Sequence, residues 1–186
     1  MDEIVKQALK KWPNVPHCYG WLALDARGDW YMRDERIQAA GAFPKVKGSR
    51  IEHEKLREFI ERNYAADAHG SWCFQNGPQR VYVELEAAPW VWRLQAVPQA
   101  LSKAVVPGGA PALISHTGLA AELESAWLDE RGRLFLATDL GLGIVHTQDM
   151  TLAADAVEAG LWAPGEARFD TLPGRFGYRL VPAPSV

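Results

Sequence analysis

The chain has 186 residues, 48% of them hydrophobic and 23% charged, with a net charge of −3. That is enough apolar material for one domain or two small ones. The negative balance speaks against a general nucleic-acid binder, which needs a basic face, and no apolar run approaches the ~20 residues of a membrane span.

Ile4, Val5, Ala8, Leu9 and Trp12 recur at helical spacing, so residues 1–16 read as an amphipathic helix ended by the turn-rich WPNVP. This start has acidic residues and no apolar h-region, unlike a secretory signal. Cys18 and Cys73 stand in no CxxC spacing, as expected of reduced thiols in a cytoplasmic protein. YGWLALDARGDWYMRD then reads as a β-hairpin whose turn ends on Gly28, a residue suited to positive φ.

Ser49 with Glu52 is a capping-box pattern and predicts a helix from there to about Tyr64, with Ile51, Leu56, Phe59 and Ile60 on one stripe. Strands follow at Ser71–Gln75 and Arg80–Glu86, joined through an Asn76-Gly77 turn, and again at Trp90–Leu94. Residues 17–97 thus form a first α+β unit. Pro and Gly-Gly mark 98–117 as a connection.

A second unit spans 118–186. Gly118–Glu124 suits a helix by its Leu119, Ala120 and Leu123, and a strand by its position before LDERG. A hairpin over Leu123–Leu128 and Arg133–Thr138, a helix over Thr147–Ala159 stopped by Gly160, and a closing hairpin about Pro173-Gly174 complete it. The expected class is α+β: two related small domains, each an antiparallel hairpin or meander with one principal helix. LDARG at 24–28 and LDERG at 128–132, followed by a like order of elements, predict a duplication.

Chemistry is sparsely encoded. His17, His53, His69, His116 and His146 are scattered, and His53-Glu54 is followed by Arg57 where HExxH needs a second histidine. GLGIVH lacks the third glycine and the βαβ setting of a dinucleotide loop, so its glycines are expected in a turn between strand and helix. There is no P-loop and no GxSxG. No catalytic residue, metal ligand or cofactor is assigned, and an enzyme of unknown reaction rests only on scattered His, Asp and Glu.

PKVKGSR places Lys45, Lys47, Ser49 and Arg50 at the expected helix start, where free N–H groups and the dipole favour phosphate. Trp90 and Trp92 share one strand face, and such a pair either fills a core or forms a stacking platform for a base.

The pair in GDWYM, GSRI at 48–51, VYVELEAAPW at 81–90, RLFLATDLGLGIV at 133–145 and GLW at 160–162 resemble a bacterial family of unknown function built from a duplicated small α+β unit. The resemblance implies two related domains, the second with a likeness to pleckstrin-homology folds. It further implies a signalling role and a small anionic or nucleotide-like ligand in a cleft between them. The expected function is therefore a non-enzymatic ligand-binding or signalling module, with Lys45, Lys47, Ser49, Arg50, Trp90 and Trp92 as the ligand-binding set. The alternative is an interaction or homodimerisation module with no small ligand.

Overall fold

A computed structural model describes residues 2–12, 14–96 and 109–184. Most of the expected connection, including its LSKAVV segment, lies outside the described residues. The chain divides into two compact units, residues 1–87 with 177–186 and residues 88–176. The class is α+β, with two sheet-rich units.

In the first unit α1 (Glu3–Lys11) buries Val5, and the Asp2 backbone N–H donates to Asn63 Oδ1 at 2.8 Å. Strands β1 (Cys18–Leu24) and β2 (Trp30–Met32) form the expected hairpin, closed by the pair Leu24 and Trp30. Its turn is organised by one carboxylate: Asp25 Oδ1 accepts from the backbone N–H groups of Arg27 and Asp29. Gly28, at φ +83°, supplies the left-handed step.

A short helix α2 (Glu35–Ala40) follows, capped by Asp34, which accepts from the Ile37 N–H at 3.0 Å. The sequence reading had no element there.

The predicted helix start at Ser49 is not where the helix begins. Ser49 and Arg50 form β3 (Ser49–Arg50) against β2, and the Ile51 N–H donates to the Trp30 carbonyl at 2.8 Å. The sheet edge claims the backbone groups that an early helical turn would have used. Helix α3 (Glu54–Arg62) starts later, with His53 Nδ1 accepting from the Leu56 N–H at 3.3 Å, and Ile60 is its buried residue.

Strands β4 (Tyr64–Ala66), β5 (Trp72–Asn76) and β6 (Gln79–Leu85) complete a six-stranded sheet in the order β3-β2-β1-β6-β5-β4. The Asn76-Gly77 turn joins β5 and β6 as expected. Joining the two hairpins, β1 and β6 run parallel, with Cys18 opposite Val81 and Leu24 opposite Leu85.

The second unit opens with β7 (Trp90–Gln95), which the sequence reading counts with the first. Then come β8 (Ala112–Ser115), β9 (Ala120–Ala121), β10 (Leu123–Leu128), β11 (Leu134–Thr138) and β12 (Gly141–Val145). The stretch left open between helix and strand therefore holds β9 and the start of β10 rather than a helix. GLGIV is a strand rather than a turn, and it runs parallel to β7. A 3-10 turn at Thr147–Asp149 leads into α4 (Met150–Glu158), and Gly160 ends it at φ +70°.

The closing hairpin does not form. Residues 165–176 hold the two-residue β13 (Gly165–Glu166), a 3-10 turn at Phe169–Thr171 and α5 (Leu172–Phe176), so Pro173-Gly174 lies within a helical turn. Leu172 is fully buried, which anchors that turn as helix. The seven-stranded sheet has the order β13-β10-β11-β12-β7-β8-β9.

The β10–β11 turn repeats the backbone hydrogen bonds of the first. Asp129 Oδ1 accepts from the N–H groups of Arg131 and Arg133, and Gly132 takes φ +71°.

Candidate functional site

Side chains alternate across a strand, so β6 places Val81 on one face and Arg80 and Tyr82 on the other, while β1 joins it with a register shift between Cys18 and Leu22. Cys18, Leu22 and Val81 meet Ile60 and Phe74 around an apolar groove of about 310 Å³, whose lining includes Trp21 and Met32, 40% and 48% exposed. Tyr19, Arg80 and Tyr82 belong to the opposite face. There they line a polar cavity together with the β4–β5 loop and the C-terminal segment.

The cavity has two lobes, of about 330 and 500 Å³, which share Tyr19, Asp67, His69, Tyr82 and Pro184. Arg179 lines the smaller lobe, and His17 and Arg80 line the larger. Tyr19 lies flat on Tyr82, with ring centres 4.5 Å apart and 7° between planes, and His17 meets Tyr82 edge-on at 5.8 Å.

Asp67 builds the loop. Its Oδ1 accepts from the N–H groups of His69 at 2.8 Å and Ser71 at 2.9 Å, while Oδ2 accepts from the Tyr82 hydroxyl at 3.0 Å. Burial pushes this carboxyl up, but the backbone N–H groups and the phenol outweigh it and hold it below the usual carboxylate range. Burial pushes the Tyr82 phenol up to about 12, so it stays a donor to Asp67 at neutral pH. The Arg80 guanidinium lies near the same hydroxyl, which favours its charged form.

The far wall is residues 177–184. The Arg179 N–H donates to the Gly70 carbonyl at 3.0 Å and its Nε to the His69 carbonyl at 3.2 Å. The Leu85 N–H donates to the Leu180 carbonyl at 2.8 Å, and the Tyr178 hydroxyl to the Ala87 carbonyl at 2.9 Å. Gly70, at φ +76°, has no room for a side chain: a Cβ would collide with the Gly177 backbone. Among the described residues, Arg179 in the smaller lobe and Arg80 in the larger are thus the guanidinium cations, and Asp67, already hydrogen-bonded, is the carboxylate common to both lobes.

The residues singled out from sequence lie elsewhere. Lys47 Nζ sits 2.8 Å from Asp25 Oδ2 and 3.2 Å from Glu86 Oε2, and the Tyr31 hydroxyl donates to the same Asp25 oxygen at 3.2 Å. Burial raises Asp25, yet Lys47 and the turn N–H groups together hold its carboxyl low. Arg50 pairs with Asp29 Oδ1 at 2.6 Å, Ser49 is an exposed residue of β3, and Lys45 is exposed.

Trp90 and Trp92 belong to the second unit and are 5% and 0% exposed. Their indole N–H groups donate to the carbonyls of Leu140 at 2.7 Å and Leu136 at 3.0 Å. Among the described residues no three or more His, Cys, Asp and Glu side chains converge as a metal site. None of the described helices is long and apolar enough to cross a membrane.

Sequence reasoning missed Tyr19, Asp67, His69, Arg80, Tyr82 and Arg179. The only local signal was Asp67 before His69-Gly70-Ser71, a turn composition; Tyr19 meets Arg80 and Tyr82 through a strand pairing some 60 positions apart, and Arg179 reaches His69 across 110 positions.

The model of the DUF2944 family, described as "Protein of unknown function (DUF2946)", matches residues 1–183. No curated protein matches the chain. Among solved structures, the chain is similar to a DUF1285 family protein from Silicibacter pomeroyi DSS-3, with a TM-score of 0.51 and 12% identity over 83% of this chain and 84% of that one. A DUF1285 family protein from Shewanella baltica OS155 matches with a TM-score of 0.46 and 11% identity over 73% of this chain and 91% of that one. At such identities the first likeness speaks for the fold alone.

Proposed function

The chain belongs to the DUF2944 family, whose function is unknown, so kinship lends it no activity, and we propose from geometry that it is a non-enzymatic module binding a small anion in the cavity of its first unit. The observation carrying this reading is that Arg179 lines one lobe and Arg80 the other, both around Asp67, whose oxygens are taken by two backbone N–H groups and a phenol. An anion entering there meets guanidinium donors without displacing an ion pair. The cavity falls in the size range of small-molecule sites, ~300–1,000 Å³.

A signalling role in the bacterial cytoplasm, and descent of the two units from one duplicated unit, belong to the same reading. They rest on the family resemblance, and the duplication also on the like hydrogen bonding of the two Asp-centred turns. A homodimerisation module is the second reading, favoured by the exposure of Trp21 and Met32 on the apolar face. Light scattering across a concentration series decides it, and a persistent monomer removes it.

The test is a thermal-shift and calorimetric screen against phosphate, sulfate, pyrophosphate and small carboxylates. A ligand at a hundred times its Kd stabilises by ~2.7 kcal/mol, a readily visible shift. Arg80→Ser, shown by circular dichroism to be folded, should abolish it. A flat response across the panel, or a shift that survives Arg80→Ser, overturns the proposal.

A further inference from the structure

We propose that the molecule this cavity recognises is an aromatic acid with a single negative charge, an aryl or arylalkyl carboxylate rather than a phosphate ester. The inference rests on the anion-binding reading above and sharpens it by two features of the same cavity, its aromatic wall and its charge count.

The aromatic wall is Tyr19. Tyr82 is buried, with Tyr19 stacked over one face and His17 against it edge-on. One face of Tyr19 is spent on Tyr82, while the residue is only half-buried and lines both lobes. Its remaining surface is where a third ring extends the stack, and offset stacking favours a planar partner over an aliphatic one.

The charge count limits the anion. Among the described residues, two guanidiniums line the lobes, Arg179 the smaller and Arg80 the larger, and both lobes share one carboxylate, Asp67. Over these three groups, one positive charge is left to be balanced. A carboxylate balances it. The second charge of a phosphate ester would face Asp67 with no cation to offset it, and an uncompensated charge in a partly desolvated site is unfavourable.

The donor geometry agrees. A guanidinium has five N–H donors in a planar fork that matches a carboxylate. Arg179 has committed its Nε to the His69 carbonyl, which leaves its other N–H groups for a ligand, and Arg80 brings its guanidinium fork to the larger lobe.

The experiment is isothermal titration of the full chain with five probes. Benzoate and indole-3-acetate combine ring and single charge; acetate has the charge alone, benzyl alcohol the ring alone, and phenyl phosphate a ring with a second charge. The aromatic carboxylates should bind at least tenfold more tightly than the other three. Tyr19→Leu should erase that preference and leave acetate binding as it was. Should Tyr19→Leu not fold, the ranking of probes on the unaltered chain decides by itself. Acetate or inorganic phosphate binding as tightly as benzoate overturns the aromatic inference and leaves the anion site standing. Phenyl phosphate binding more tightly than benzoate overturns the single-charge inference alone. No binding by any probe, with none by the inorganic anions, removes both readings.

Discussion

Gly143 is the position where one methyl group should be most harmful. It lies in β12 between Trp90 of β7 and Leu136 of β11. A Cβ there would come within 2.7 Å of Trp90 Cβ and 2.7 Å of Trp92 Cε2. Trp92 has no exposed surface to retreat into, and its indole N–H is fixed on the Leu136 carbonyl at 3.0 Å.

Gly143→Ala should therefore cost about 1–3 kcal/mol in overpacking, and about 1 kcal/mol more as that hydrogen bond is lost. With a urea m-value of about 2 kcal/mol/M, the unfolding midpoint should fall by about 1–2 M. Tryptophan fluorescence during urea unfolding reads it directly. Gly132→Ala is the comparison: at φ +71° with no atom within 4 Å of a new Cβ, it meets backbone strain alone, about 1–2 kcal/mol. A Gly143→Ala protein as stable as the parent, or more stable than Gly132→Ala, refutes the reasoning.

Arg33 is buried, ion-paired with Glu84, and donates to the Gly41 carbonyl at 2.6 Å. Arg33→Met strands the Glu84 carboxylate and should cost about 3 kcal/mol, while adding Glu84→Leu should recover most of it; equal losses for the single and double variants in urea unfolding would contradict this. Burial pushes His116 down to about 3, with Nδ1 accepting from the Val91 N–H. Its folded pKa lies below its unfolded one, so the unfolded chain holds the extra proton and stability falls as pH drops from about 6.5 towards 3, by at most ~1.4 kcal/mol per pH unit. Asp25, Asp67, Asp129 and Asp149 are also held low, so their stabilisation is present above about pH 4 and lost below it. Between pH 4 and 6.5 His116→Gln should flatten the slope, and an unchanged slope counts against the buried neutral imidazole.

What the sequence made legible was local. The LDARG and LDERG turns, the Asn76-Gly77 hairpin and the Gly160 stop each depend on residues within a few positions of one another, and each is present. Ser49 misled because a capping box and an edge strand both use the backbone N–H groups beside it, and only the presence of β2 decides between them. Pro173-Gly174 misled because turn composition does not distinguish a hairpin from a helical turn anchored by Leu172. The cavity was invisible for a larger reason: Tyr19 and Tyr82 become neighbours only once β1 and β6 align in parallel, and no spacing rule reaches that far.

The return of residues 177–184 to the first unit has a consequence for how the protein is made. A ribosome delivers residues 2–87 long before Leu180, yet the Leu85 N–H takes its partner from Leu180 and the Gly70 carbonyl takes its from Arg179. The first unit therefore lacks those partners while the whole of the second is synthesised. A nascent chain halted near residue 96 should be cut readily in the 67–71 loop by a protease to which the finished protein is resistant. Of the two units, the one whose synthesis starts earlier is thus the one completed later.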